Sequence, residues 1–459
     1  MLLHRDAVAP ARVTVAPSAN LRLLRVLRTV IRADSDPARQ TLFANLQQAR
    51  LWVRLVCGLH ERLRGTWGAT FVVAGYGLLS FLTVVPPRNR AARVLAVGQF
   101  ENARRQIERV ASWIGASECA RISTGWRALF RPILLRRLGS LARGAGVSKT
   151  LRLARRIDSR HGLLVSCRAI RAIVWYACTR HILEEARPGA VLVASDSNPE
   201  ELGFVAAART LGIPQVFVSH AYPTPFSPPL DFTLSILEGE AAVDLRRRRG
   251  PIRGEVLLAG IEGDSLPLDI TRFARPNPVI GIFPPKAVGW PTLAAIIDDC
   301  RRHFAAKRII IRWHPSMLER PRLEECTGNV SDILIASSTV PVSEVARQCD
   351  WVVADENSNV HLPVLKLGVP TIAVRRLGLY PPSRADLYGF IESGIVFPTV
   401  DSVRDVRPEA LDAFFSVEWS QRFRCYDVSY LRPSTAIGRD VRDAIQALCE
   451  RRDSRPAPG

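Results

Sequence analysis

From residue 91 onward the chain alternates short apolar runs with helical stretches, and this alternation constrains the fold more than any other feature. Arg93–Phe100 reads as a buried strand, Glu101–Ile114 as a helix and Cys119–Thr124 as a second strand. A long arginine-studded helical stretch follows, to about Arg187. Then come strand Val191–Ser195, helix Glu200–Leu211 stopped by Gly212, and strand Gln215–Ser219, with further strands at Thr233–Leu237 and Val256–Gly260. A second series starts near Asn277: strand Val279–Phe283, helix Thr292–Phe304 and strand Arg308–Arg312. It continues with strand Asp332–Ser337, helix Val342–Cys349, strand Trp351–Ala354, a helix to Leu367 and strand Thr371–Val374. Uniformly apolar strands separated by helices make a parallel sheet covered on both faces. The sequence therefore predicts an α/β fold of two Rossmann-like doubly wound domains facing a cleft, residues 91–275 and 276–459. Arg275–Pro278 forms the hinge, because each proline restricts itself and its predecessor. The tail, Pro408–Arg452, is expected to be helical.

Residues 1–90 read as a separate helical extension. In Leu21–Arg32 the arginines at 22, 25, 28 and 32 share one arc of a helix, and Leu24, Leu27 and Ile31 lie opposite. Such a basic amphipathic helix suits either a packed core face or an anionic membrane surface. Gly65 to Pro87 carries no charge, but its apolar part, Phe71–Val85, is short for a span and interrupted by Gly75 and Gly77. A buried or membrane-dipping segment is the expectation.

Composition narrows the function classes. At 459 residues with 47% hydrophobic and 23% charged, the chain is neither disordered nor a polytopic membrane protein. The net charge of +20 favours a phosphate-bearing substrate, anionic lipid or nucleic acid. Nucleic acid is disfavoured because the arginines are spread along the whole chain and the aromatic residues, only 7% of the total, form no interleaved stacking pattern. The run Arg246–Arg249 reads as a solvated or lipid-facing patch. Nine cysteines without metal-like spacing indicate free thiols in a reducing compartment, and the first twenty residues lack the apolar core of a secretory signal. A cytoplasmic protein, peripheral at the inner membrane, is expected, with no metal and no cofactor. Neither a GxGxxG after a strand nor a P-loop is present, which argues against a dehydrogenase and a P-loop kinase.

Ligands of open parallel sheets bind beyond the carboxyl ends of the strands, so the loops there carry the candidate residues. Asn357, Ser358 and Asn359 leave a strand and open a helix, where three N-cap types in a row suit an anion such as a nucleotide phosphate. Arg312 and His314 end another strand, the histidine placed to donate to phosphate or to act as a general acid, and Lys286 follows a third. In the first domain His220 enters a proline-dense loop as a candidate general base, with Asp196 placed to orient it, to bind acceptor hydroxyls or only to cap the next helix. Asn198, Glu200 and Tyr222 flank these two as candidate acceptor-binding residues.

At these residues the chain resembles bacterial GT-B glycosyltransferases of surface-polysaccharide assembly: capsule polysialyltransferases, capsular Kdo transferases and teichoic-acid glycerophosphotransferases. The family pattern SDxNPxxxxxxxAARxLGIPxVxxxHG reads SDSNPEELGFVAAARTLGIPQVFVSHA here, from Ser195 to Ala221. An R-x-HP element follows as Arg312-Trp-His314-Pro315, then the family's SD-x-SS region as Ala354–Asn359 and LGxP as Leu367-Gly-Val-Pro370. The chain departs from the pattern at Asn359, where the family has a second serine, and at Ala221, where it has glycine. The resemblance implies an inverting, metal-independent transferase. A nucleotide-sugar donor would sit on the C-terminal domain, its phosphates held by His314 and the Ser358 region. A glycan or lipid-linked acceptor would sit on the N-terminal domain, deprotonated by His220 or an acidic residue near it. The competing readings are a sugar-nucleotide epimerase or hydrolase on the same fold, whose usual Gly-Gly is missing at Asn357–Asn359, and a non-catalytic nucleic-acid-binding protein.

Overall fold

The computed structural model describes Val30 and residues 51–454, apart from 64–66, 125–146, 226, 316, 318–322, 324, 326, 328–329 and 380–385. The basic helix expected at Leu21–Arg32 lies, Val30 excepted, outside the described residues. In chain order the elements begin with α1 (Leu51–Arg62), α2 (Trp67–Leu82), β1 (Val84–Val85), β2 (Val94–Val97), α3 (Glu101–Ile114) and β3 (Cys119–Thr124). They continue with α4 (Val147–Ala186), β4 (Ala190–Val193), α5 (Pro199–Thr210), β5 (Gln215–Val218), β6 (Asp231–Leu237), α6 (Glu240–Arg247) and β7 (Arg253–Leu258). The second series is β8 (Val279–Phe283), α7 (Trp290–Arg302), β9 (Arg308–Arg312), β10 (Ile333–Ala336), α8 (Val342–Arg347), β11 (Trp351–Asp355), α9 (His361–Lys366) and β12 (Thr371–Val374). Three helices end it: α10 (Pro408–Phe414), α11 (Val417–Tyr426) and α12 (Ser434–Asp453).

Two sheets form, as the alternation requires. The first has seven strands in the order β1-β3-β2-β4-β5-β6-β7, the second five in the order β10-β9-β8-β11-β12. Every pairing is parallel except that of the two-residue β1 with β3. Strands β2, β4, β5, β11 and β12 are buried along their whole length, because helices cover both faces. Burial of these Val, Ile, Leu and Ala runs is the main driving force, at roughly 25 cal/mol per Å² of apolar surface. The fold class is the expected one, two Rossmann-like doubly wound units with a helical extension.

The strand orders add something the sequence does not state. In both sheets the winding direction reverses once, between β2 and β4 in the first and between β8 and β11 in the second. Such a reversal opens a crevice at the carboxyl ends of the two strands, where ligands of this fold class bind.

One expectation is corrected. The sequence places the tail with residues 276–459, but α12 packs on the first sheet. Its Ile437, Val441, Ile445, Leu448 and Cys449 share a core with Val94, Ala96, Ala190 and Leu192. These five fall on one stripe of the helix, and the first sheet offers the uncovered apolar face beside α3. The chain therefore crosses between the units twice, at the hinge and again before α12. A buried contact joins the units here: Lys366 Nζ at the end of α9 donates to the Ile261 carbonyl after β7 at 2.6 Å and lies 3.2 Å from Asp427 Oδ2 just after α11, with Lys366 and Asp427 both buried.

Within the uncharged segment, Trp67–Leu82 forms α2, whose Val73 is buried against Ala169, Ile170 and Ile173 of α4. Among the described residues no helix is long and apolar enough to cross a membrane.

Candidate functional site

The second unit gathers Lys286, Arg312 and His314 at the carboxyl edge of β8 and β9. Lys286 and Arg312 are close enough for their charges to act on His314. Burial first, then these two cations, pushes the His314 imidazole down to about 3, so it is neutral at physiological pH. A neutral ring offers phosphate one N–H; it holds no proton to give as a general acid until an anion arrives. Arg312 is anchored by donating from Nε to the Val340 carbonyl at 2.6 Å and from Nη2 to that of Ser338 at 2.9 Å. Its pKa is lowered by burial and then by Arg105 of α3, which belongs to the first unit. The carboxyl edges of the two sheets thus bring arginines from both sides towards one another, a repulsion that an anion between them would relieve.

Across the reversal point from Lys286 lies the loop after β11, and here the helix-start reading is corrected. Helix α9 begins at His361 with Val360 as its N-cap, and no side chain caps it. Residues 356–360 form a turn region in which three N–H groups are used internally. Asn357 N and Ser358 N donate to the Asp355 carboxylate and carbonyl, both at 2.9 Å, and Val360 N donates to Ser358 Oγ at 3.3 Å. The Asp355 carboxylate is buried and closes this turn rather than capping the helix, and it also receives Gly378 N at 2.7 Å. Burial raises that carboxyl to about 6. What the loop offers is side-chain polarity: Asn357 Nδ2 and Asn359 Oδ1 are buried without a hydrogen-bond partner. His361, which sequence reasoning passed over, is fully buried between the Asp355 carbonyl and Thr371 Oγ1, each at 3.0 Å, and braces this loop.

In the first unit His220 Nδ1 is paired with the Ala194 carbonyl. A carbonyl only accepts, so Nδ1 carries the proton and the lone pair lies on Nε2, the tautomer a general base needs. The expectation that Asp196 orients His220 is therefore corrected. Asp196 Oδ2 is engaged by Arg246 Nη1, which also donates to the Pro228 carbonyl at 2.8 Å and pins the end of the proline-dense loop. Arg246 itself is buried, its guanidinium over the Phe217 ring, so the run Arg246–Arg249 is not a uniformly solvated patch.

The three acceptor candidates are also buried. Tyr222 stacks on Tyr426 and meets Phe390 and Tyr388 edge-on, an aromatic cluster that joins the units and keeps the ring from an open acceptor surface. Glu200 pairs with Arg171 of α4 at 2.6 Å, and Asn198 N donates to Ser195 Oγ at 3.2 Å. Beside them sits the residue that sequence reasoning missed. Glu201 is fully buried, accepts Gln99 N at 3.3 Å, and leaves Oε2 without a partner, as is Gln99 Nε2. Gln99 follows β2 and Glu201 follows β4, so they meet at the reversal point of the first sheet. Burial, then the neighbouring Glu200, raises Glu201 to about 8, and a neutral acid there can donate a hydrogen bond. Glu238, after β6, is likewise pushed up to about 7 by burial. Only adjacency in the fold marks these acids; in the sequence they look like ordinary helix-start and turn carboxylates.

No family model and no curated protein matches the chain. Solved structures do. One is S. aureus MnaA with UDP, at TM-score 0.48 and 11% identity over 80% of this chain and 99% of that one. UDP-GlcNAc 2-epimerase from Neisseria meningitidis, bound to UDP-GlcNAc, gives 0.44 and 11% over 78% and 99%. CalG4, the calicheamicin glycosyltransferase, gives 0.45 and 11% over the same shares. Likeness this loose assigns no reaction.

Proposed function

We propose that this chain is a GT-B glycosyltransferase of surface-polysaccharide assembly, moving a sugar or polyol phosphate from a nucleotide-activated donor to a glycan or lipid-linked acceptor at the cytoplasmic face of the inner membrane. The observation that carries it is the cationic crevice of the second unit. Lys286, Arg312 and His314 converge one side of the β8/β11 reversal, and the unpartnered amide atoms of Asn357 and Asn359 lie on the other. The phosphates of a nucleoside diphosphate match this positive charge and can accept from Asn357 Nδ2, with Lys286 and Arg312 in place of a divalent cation. His220, with its lone pair on Nε2, takes the proton from an acceptor hydroxyl. The oxygen then attacks the anomeric carbon from the face opposite the leaving nucleotide, which inverts the centre.

The test is thermal stabilisation of the full chain by CMP, CDP, UDP, GDP and ADP, repeated with His314→Ala. A shift with one nucleotide that the variant loses supports the reading and names the base; no shift with any of them refutes it. Turnover of the matching nucleotide sugar without any acceptor would assign the chain to the epimerase or hydrolase class instead.

A further inference from the structure

Helices α1 and α2, which touch one another, each leave an apolar face uncovered. On α1, Leu51, Leu55 and Leu59 recur every fourth residue and are 64%, 64% and 51% exposed, with Val56 beside them. On α2, Phe71 is 68% exposed, and Leu78 and Leu79 also face out. The opposite side of α2 is occupied, with Val73 buried on α4 and Gly77 against Ile170. A water-facing helix normally carries charge on its outer side, and α2 has none. Apolar exposure grouped in this way marks an interaction surface.

The charge around the face says what covers it. Residues 51–90 contain five arginines (54, 62, 64, 88 and 90) and one acid, Glu61. Arg54, Arg62 and Arg88 are exposed. A second copy would set arginine against arginine across a two-fold contact. An anionic bilayer instead accepts the leucines and Phe71 at the acyl boundary and the arginines at the phosphates.

The geometry points to an anionic lipid surface as the partner of the α1–α2 face, with both helices lying in the plane of the interface. The face is linked to the cleft. Tyr76 of α2 accepts from Arg171 Nη1 at 2.9 Å, and Arg171 Nη2 lies 2.6 Å from Glu200 at the start of α5. Glu200 adjoins Glu201 and Asn198 at the reversal point of the first sheet. Resting on the proposed transferase reading, this chain of contacts sets the acceptor end of the cleft at a fixed height over the bilayer. A lipid-linked acceptor then keeps its tail in the membrane while its terminal hydroxyl reaches His220.

The test is sedimentation of the full chain with vesicles of phosphatidylcholine alone or with about one third phosphatidylglycerol. Binding to the anionic vesicles only is expected. Phe71→Asp with Leu78→Asp, or Arg54→Glu with Arg62→Glu, should weaken it roughly tenfold or more. Both pairs should keep the nucleotide-induced thermal shift, so a failed donor reading and a failed docking face give different results. Leu55→Gln with Leu59→Gln, on side chains already in water, serves if the aspartate pair does not fold. No sedimentation, or sedimentation that every variant retains, overturns the proposal. So does a change from dimer to monomer in the variants with vesicle binding intact, which would give the face to a second copy.

Discussion

Arg246 reaches from the end of α6 to close on Asp196 in the loop after β4, with only 3% and 12% of the two side chains exposed. The pair stands where a base-orienting carboxylate was expected, and it holds a loop instead. Removing one member strands the other as a buried charge, so Arg246→Ala should destabilise the protein by about 3–5 kcal/mol. Urea unfolding measures this, and a midpoint shift under half of that size would mean water reaches the site.

His314 gives a prediction in pH. Its folded pKa, about 3, lies below the ordinary 6.5, so the unfolded chain binds a proton that the folded one refuses. Its contribution to stability is complete above pH 6.5 and is lost as the pH falls towards 3. His314→Gln should flatten that part of the stability curve, read as the difference between the variant and the parent from pH 7 to pH 4. A bound nucleotide should oppose the trend by favouring the protonated ring.

Glu201 has the opposite sign. Its folded pKa of about 8 lies above the ordinary 4.5, so stability is full below pH 4.5 and declines as the pH rises through 8. Glu201→Gln should remove a decline of a few kcal/mol at most across that window. Equal slopes for the two proteins would show that Glu201 is ionised in the folded chain.

Lys366, at the end of α9, and Asp427, just after α11, pair inside the protein at 2% and 0% side-chain exposure. Lys366→Ala should cost about 3–5 kcal/mol, because Asp427 would be left without its cation. Lys366→Met combined with Asp427→Leu should cost less than the sum of the single changes. Additive costs would show that the two charges are not coupled.

The strands were legible because each is a local run. Cys119–Thr124, Val279–Phe283, Arg308–Arg312 and Thr371–Val374 have the limits their apolar residues suggest, and α3 fills Glu101–Ile114 as its periodicity requires. The two-residue β1 and the short α6 were not read, since neither is long enough to show a period. At the site, the strand-end loops were legible because a doubly wound sheet puts its ligand there whatever its side chains. The partners within those loops were not: the carbonyl of Ala194 for His220, Arg246 for Asp196, the Asp355 carboxylate for the turn before α9.

The sequence by itself determined what depends on near neighbours: the strands and helices, the parallel α/β class, the excess of positive charge and the loops in which chemistry could sit. Tertiary structure alone decided the order of strands and hence the two reversal points, the return of α12 to the first sheet, and which charged groups are buried. The physical reason is that burial and pairing are properties of three-dimensional neighbours. Gln99 and Glu201, or Lys366 and Asp427, are far apart along the chain, and only the closed fold removes water from around them.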